Sequence, residues 1–93
     1  MSADDKLQLL KLELLISTNA YDKRLLQTIS AAEGFIKREG ITLADSAEDT
    51  ELVIMYAAYL WRKRREANPV MPRMLRWALN NRLFAEKAAK KDV

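Results

Sequence analysis

The sequence contains no cysteine and no histidine. The first absence removes disulfides and thiolate chemistry. Together they remove the usual zinc clusters, histidine-based catalytic triads and the side chain that exchanges protons near neutral pH. Glycine and proline are scarce, confined to Gly34, Gly40, Pro69 and Pro72. Two glycines do not build a phosphate-cradling loop, and so few turn formers argue against a turn-rich β domain. Long apolar runs are missing too: the longest, Leu52 to Trp61, spans ten residues, about half of what a bilayer span requires. No membrane contact is expected. The opening MSADDKLQLL places acids where a secretory leader carries bases, so a cytosolic chain is expected.

What is present fits one small helical domain. The chain has 93 residues, 49% hydrophobic and 31% charged, a balance that is neither disordered nor membrane-like. The net charge of +3 conceals an asymmetry. Residues 1–61 hold six Lys and Arg against ten Asp and Glu, net −4, whereas residues 62–93 hold ten against three, net +7. Residues 1–93 are read as a single all-α domain, with 70–93 a basic C-terminal helix and tail. The charge split points to contact with a polyanion or an acidic protein surface.

The periodicity predicts four helices. Asp4 to Ile16 puts Leu7, Leu10 and Leu14 on one face, widened by Leu12, Leu15 and Ile16. Asn19 is a favoured cap for a second helix over about Ala20 to Glu39, in which Leu25, Ile29, Ala32 and Ile36 repeat at helical spacing. Gly40 suits a left-handed C-terminal cap, with Ile41 folding back on the last turn. Asp45 or Ser46 then caps a third helix reaching Glu66, with Glu48 or Asp49 as the capping-box acid. That helix is apolar nearly all round, so it is expected at the centre of the bundle, with half its cover supplied by another subunit. Asn68-Pro69 stops it. Pro72 is placed to start a fourth helix with Leu75, Ala78, Leu79 and Leu83 inward, and with Met74, Trp77 and Phe84 off that stripe. A helix of this kind can project from the body.

Acid pairs such as Asp45 with Glu48, and Asp49 with Glu51, are explained by capping and the helix dipole, and carry no catalytic or metal role. Ser17, Ser30 and Ser46 have no base beside them in the sequence. No cofactor is implied. The feature most in need of explanation is the collar Arg62, Lys63, Arg64 and Arg65 in the last turn of helix three. Positive charge continues through Arg73, Arg76, Arg82, Lys87, Lys90 and Lys91. It is interleaved with Met71, Met74, Trp77 and Phe84, residue types common at protein interfaces. Trp61 is read as a core residue.

Taken in order, Tyr21-Asp22-Lys23-Arg24-Leu25-Leu26, Glu39-Gly40-Ile41, the run Leu52 to Leu60, and Arg62-Lys63-Arg64 resemble the small head-to-tail connector proteins of tailed phages and prophages. The ending Met71-Pro72-Arg73-Met74-Leu75-Arg76-Trp77, continuing to Phe84, is similar to that of prophage members from Gram-positive bacteria. The resemblance spans residues 7–85 and rests on helical spacing patterns instead of catalytic signatures. It implies a non-enzymatic virion protein, made in the host cytoplasm and placed at the head-to-tail interface. There it joins a ring of about twelve copies beneath the portal protein, extends the DNA channel and offers a docking surface to a tail-side completion protein.

By that resemblance, the portal-binding segment is Met71, Arg73, Met74, Arg76, Trp77, Arg82 and Phe84. A ring would also explain the apolar third helix, with Leu52, Met55, Tyr56 and Tyr59 expected between subunits. DNA would pass through the channel without sequence-specific contact, and the basic collar is expected to face protein more than the lumen. The link Ile41 to Asp45 is shorter than in many connectors, so their loop contacts do not carry over. The alternative is a small nucleic-acid-binding regulator using Arg62 to Arg82 on phosphate. Against it, Leu75, Leu79 and Leu83 stand where a recognition helix would show polar base-reading residues.

Overall fold

A capping box opens the first helix: the Ser2 hydroxyl accepts the Asp5 amide at 3.2 Å and the Asp5 carboxylate accepts the Ser2 amide at 3.4 Å. The structure, a computed structural model, describes residues 2–66 and 70–91. The expected stop at Asn68-Pro69 and the last two residues of the tail lie outside the described residues, as do the side chains of Lys90 and Lys91. Helix α1 covers Ala3–Leu14 and ends at Leu15, which takes a left-handed conformation with φ 58°. Four helices and no strand are present among the described residues, in agreement with the all-α expectation.

Helix α2 covers Asp22–Arg38. It starts two residues later than the periodicity predicts, because Asn19 is not its cap. The Asn19 side-chain oxygen instead accepts Lys11 Nζ at 2.9 Å, and Tyr21 holds the cap position with no side-chain cap bond. Lys11 is buried, so its ammonium requires partners; Asp22 Oδ1, also at 2.9 Å, is the second. At the other end Gly40 has φ +103° and its amide donates to the Lys37 carbonyl at 3.0 Å, while Ile41 turns back into the core as expected.

Helix α3 covers Ala47–Lys63 and is capped by Ser46, whose hydroxyl accepts the Asp49 amide at 3.2 Å. It ends before Glu66. Helix α4 covers Arg73–Lys91 and begins one residue after Pro72, whose carbonyl accepts the Arg76 amide at 3.1 Å.

Helices α1, α2 and α3 pack against one another and α4 lies on α3, so the third helix touches all the others. The core joins Leu7 and Leu10 of α1 to the α2 stripe Leu25, Ile29, Ala32 and Ile36, to α3, and to Leu75 and Leu79 of α4. The all-round apolar character of α3 is therefore met within the chain. Leu52, Val53, Ile54, Tyr56, Ala57 and Ala58 are buried by the chain's own three other helices, which corrects the expectation that half of the cover comes from another subunit. Only Met55 and Tyr59 of the expected intersubunit set remain half-buried. Helix α4 is docked through Leu75, Leu79 and Leu83. Leu12 and Leu15, expected to widen the α1 stripe, face solvent: Leu12 is five residues after Leu7 and two after Leu10, away from the inner face, and Leu15 sits on the left-handed turn that ends the helix. None of the described helices is long and apolar enough to cross a membrane.

Candidate functional site

Residues 75, 79 and 83 put leucine on the inner side of α4, and 74, 77, 81 and 84 repeat at spacings of three and four on another. Met74, Trp77 and Phe84 consequently stand on the outward face, with Trp77 65% exposed. Val70, just before the helix, is exposed as well. Met71, expected on this surface, is half-buried and packs against the core. Arg73 and Lys87 are exposed beside the apolar outward residues and hold no ion pair among the described residues. Arg76 is half committed inward, its Nη1 lying 3.3 Å from Glu39 Oε2.

Arg82 departs from its expected role. It lies seven residues beyond Leu75 and three beyond Leu79, so helical geometry turns it toward α3. Its Nε donates to Asp49 Oδ1 at 2.8 Å, Nη1 to Glu86 Oε1 at 3.1 Å, and Nη2 to the Thr42 carbonyl at 2.7 Å. Asp49 Oδ2 also accepts the Ala44 amide at 2.7 Å, and Glu86 Oε1 accepts the Thr42 amide at 2.9 Å. The guanidinium is thus spent inside the subunit, clamping α4 to the α2–α3 link and to the start of α3.

The clamp sets the charges. Burial pushes the Asp49 carboxyl up, since the residue is 3% exposed, but hydrogen bonds from Arg82 and the Ala44 amide, with the Arg82 charge, outweigh it and hold the group below its ordinary value. The Asp49 hydrogen bond raises Arg82, and the Thr42 amide leads the contacts that lower Glu86. Asp49 therefore does more than the helix capping read from the sequence. The signal for it was the register of Arg82 on the leucine face of α4.

The basic collar is folded back on aromatic rings. The Arg64 guanidinium carbon sits 3.6 Å above the Trp61 ring and Lys63 Nζ lies 5.6 Å from the Tyr59 centroid. Arg62 reaches the end of α1, with Nη2 3.7 Å from Glu13 Oε2. Arg65 makes none of these contacts. Trp61 packs edge-on against Tyr21 at 5.8 Å and is half-buried. Tyr56 stacks on Phe35 at 6.0 Å, and burial followed by the Glu39 charge pushes its phenol up.

Beside the outward face, a groove of about 760 Å³ runs between the start of α3 and α4. It is floored by Leu52, Met55, Ala78 and Ala85, walled by Trp77, and edged by Glu48 and Glu51. Sequence reasoning did not find it, because a groove between residues 47–55 of α3 and 77–85 of α4 depends on how the two helices cross. Among the described residues no acidic cluster of metal-site geometry occurs. No family model, curated protein or solved structure matches the chain.

Proposed function

We propose that this protein is a non-enzymatic assembly subunit, a head-to-tail connector of a tailed phage or prophage that forms a ring beneath the portal. The observation that carries the reading is the outward face of α4. Met74, Trp77 and Phe84 stand in solvent on a helix already anchored by its other side, with Arg73 and Lys87 beside them. Three large apolar groups held rigidly outward, with cations alongside, have the composition of a protein-docking surface. The order of motifs that resembles the connector family supports the same assignment.

In this reading the α4 face docks on the portal protein and a tail-side completion protein uses the opposite end of the ring. DNA passes through the channel without sequence-specific contact. The stacking of Lys63 and Arg64 on Tyr59 and Trp61 favours a collar that braces the subunit and faces protein. The test is size-exclusion chromatography with light scattering, alone and with the candidate portal ring. Co-elution with the portal, abolished in Met74→Ala, is the expected result. A protein that ignores the portal and instead binds duplex DNA with steep salt dependence would overturn the reading in favour of a nucleic-acid-binding regulator.

A further inference from the structure

We propose that the end of α1, carrying Leu12 and Leu15, seats in the groove between α3 and α4 of a second copy of this chain. The inference deepens the connector reading by naming both halves of the contact between copies, and it rests on that reading for the expectation that the array closes into a ring.

The first half is marked by an unusual residue choice. Leu15 ends α1 at φ 58°, where glycine or asparagine would sit without the Cβ penalty, and its side chain is 91% exposed. The left-handed turn itself serves the fold, since the Ile16 amide donates to the Lys11 carbonyl at 2.9 Å and Ile16 packs against the core, but the leucine side chain carried on that turn is left in water. Leu12, one turn earlier, is 72% exposed. Together they form an apolar knob that the subunit leaves uncovered.

The second half is the groove floored by Leu52, Met55, Ala78 and Ala85. Its size falls within the range of sites that bury several apolar groups. Charge sets the pairing. The knob stands beside the basic collar, because Arg62 binds Glu13 of α1, and Arg65, on the same surface as Leu14 and Arg62, holds no ion pair among the described residues. The groove is edged by Glu48 and Glu51, which are exposed and also hold no ion pair there. A basic-flanked knob therefore meets an acid-edged groove.

The two halves lie at opposite ends of α3, about 25 Å long at 1.5 Å per residue. One copy can therefore offer its knob to one neighbour and its groove to another, and the connector ring requires this head-to-tail use of the contact; a reciprocal two-fold pair would stop at the dimer. Repetition of such a contact gives a ring when the rotation closes and a filament when it does not. The outward Met74 and Phe84 remain available to the portal.

Sedimentation of the full chain across a concentration series tests the proposal, with Leu15→Gly as the discriminating variant. Glycine is suited to the left-handed turn, so the variant should melt no earlier than the parent, while the lost leucine should weaken self-association about 10- to 100-fold. Glu48→Lys combined with Glu51→Lys should weaken it from the groove side. Mixing the two variants should restore dimers, each with one intact contact, and no larger species.

A parent chain that stays single at millimolar concentration, or self-association indifferent to Leu15, would overturn the proposal. Self-association through Leu15 without portal co-elution removes the connector reading and leaves this contact standing. Portal co-elution by a chain whose self-association ignores Leu15 does the reverse.

Discussion

Arg82 Nε lies 2.8 Å from Asp49 Oδ1 across 33 residues of sequence, and this pair ties α4 to the start of α3. Asp49 is buried and Arg82 keeps only 23% of its side chain in solvent. Desolvation of this kind is tolerated because both groups are fully partnered: the acid by Arg82 and the Ala44 amide, the guanidinium by Asp49, Glu86 and the Thr42 carbonyl.

Removing one member strands the other. Asp49→Ala should cost about 2–3 kcal/mol, toward the lower end for a broken buried pair because Arg82 is partly solvated. Urea denaturation measures the loss. Hydrogen exchange should place the largest loss of protection in α4, and a uniform loss over all four helices would contradict the clamp's role.

Acid should loosen the same element. The Asp49 and Glu86 carboxyls are held below their ordinary values of 3.8 and 4.5, so the folded state binds fewer protons than the unfolded chain in that range. Their contribution is fully present above about pH 5 and is lost as pH falls through the lowered folded values. The parent should lose stability between pH 5 and pH 3, and Asp49→Asn should lose less over that interval. Equal acid sensitivity of the two proteins would count against the assignment.

Leu52 and Tyr56 should behave unlike Met74 and Trp77. The first pair is buried under the chain's own helices, and Leu52→Ala should cost about 2–4 kcal/mol of stability. Met74→Ala and Trp77→Ala should stay within about 0.5 kcal/mol of the parent in thermal unfolding, and Met74→Ala should abolish portal binding. Collapse of folding in both sets would remove the division between body and docking face.

Gly40 should resist replacement. Its φ of +103° disfavours any side chain, and an added Cβ would come within 3.4 Å of Leu83 Cδ1. Gly40→Ala should therefore destabilise by about 1 kcal/mol or more, read by thermal melting. Gly34→Ala meets nothing within 4 Å in the middle of α2 and should stabilise by up to about 1 kcal/mol.

The helices were legible because each carries its own period and punctuation. Leu25, Ile29, Ala32 and Ile36 announced α2, Ser46 was one of two expected caps of α3, and Gly40 marked its turn. The failures share a different cause. Asn19 was read as a cap, and Arg82 as a partner-facing cation although its register sets it toward α3; which groups each meets is decided only when the helices cross. Lys11 stands four residues after Leu7 and three before Leu14, on the inner face of α1, where the packing of α1 and α2 supplies Asn19 and Asp22 as its partners. The outward face of α4 could be read from spacing alone, whereas the groove beside it depends on the α3–α4 crossing and has no local signature.

The Thr42 peptide unit is gripped from both sides by α4, its amide by Glu86 and its carbonyl by Arg82. That grip has a consequence for the order of synthesis. Helices α1 to α3 are encoded before residue 64, but the cation that pairs with Asp49 and the side chains that hold Thr42 arrive only with residues 82 and 86. Without α4 the first three helices would carry an Asp49 carboxylate lacking Arg82, and a Thr42 peptide unit lacking both of its α4 partners. The last helix to emerge completes the electrostatics of the first three.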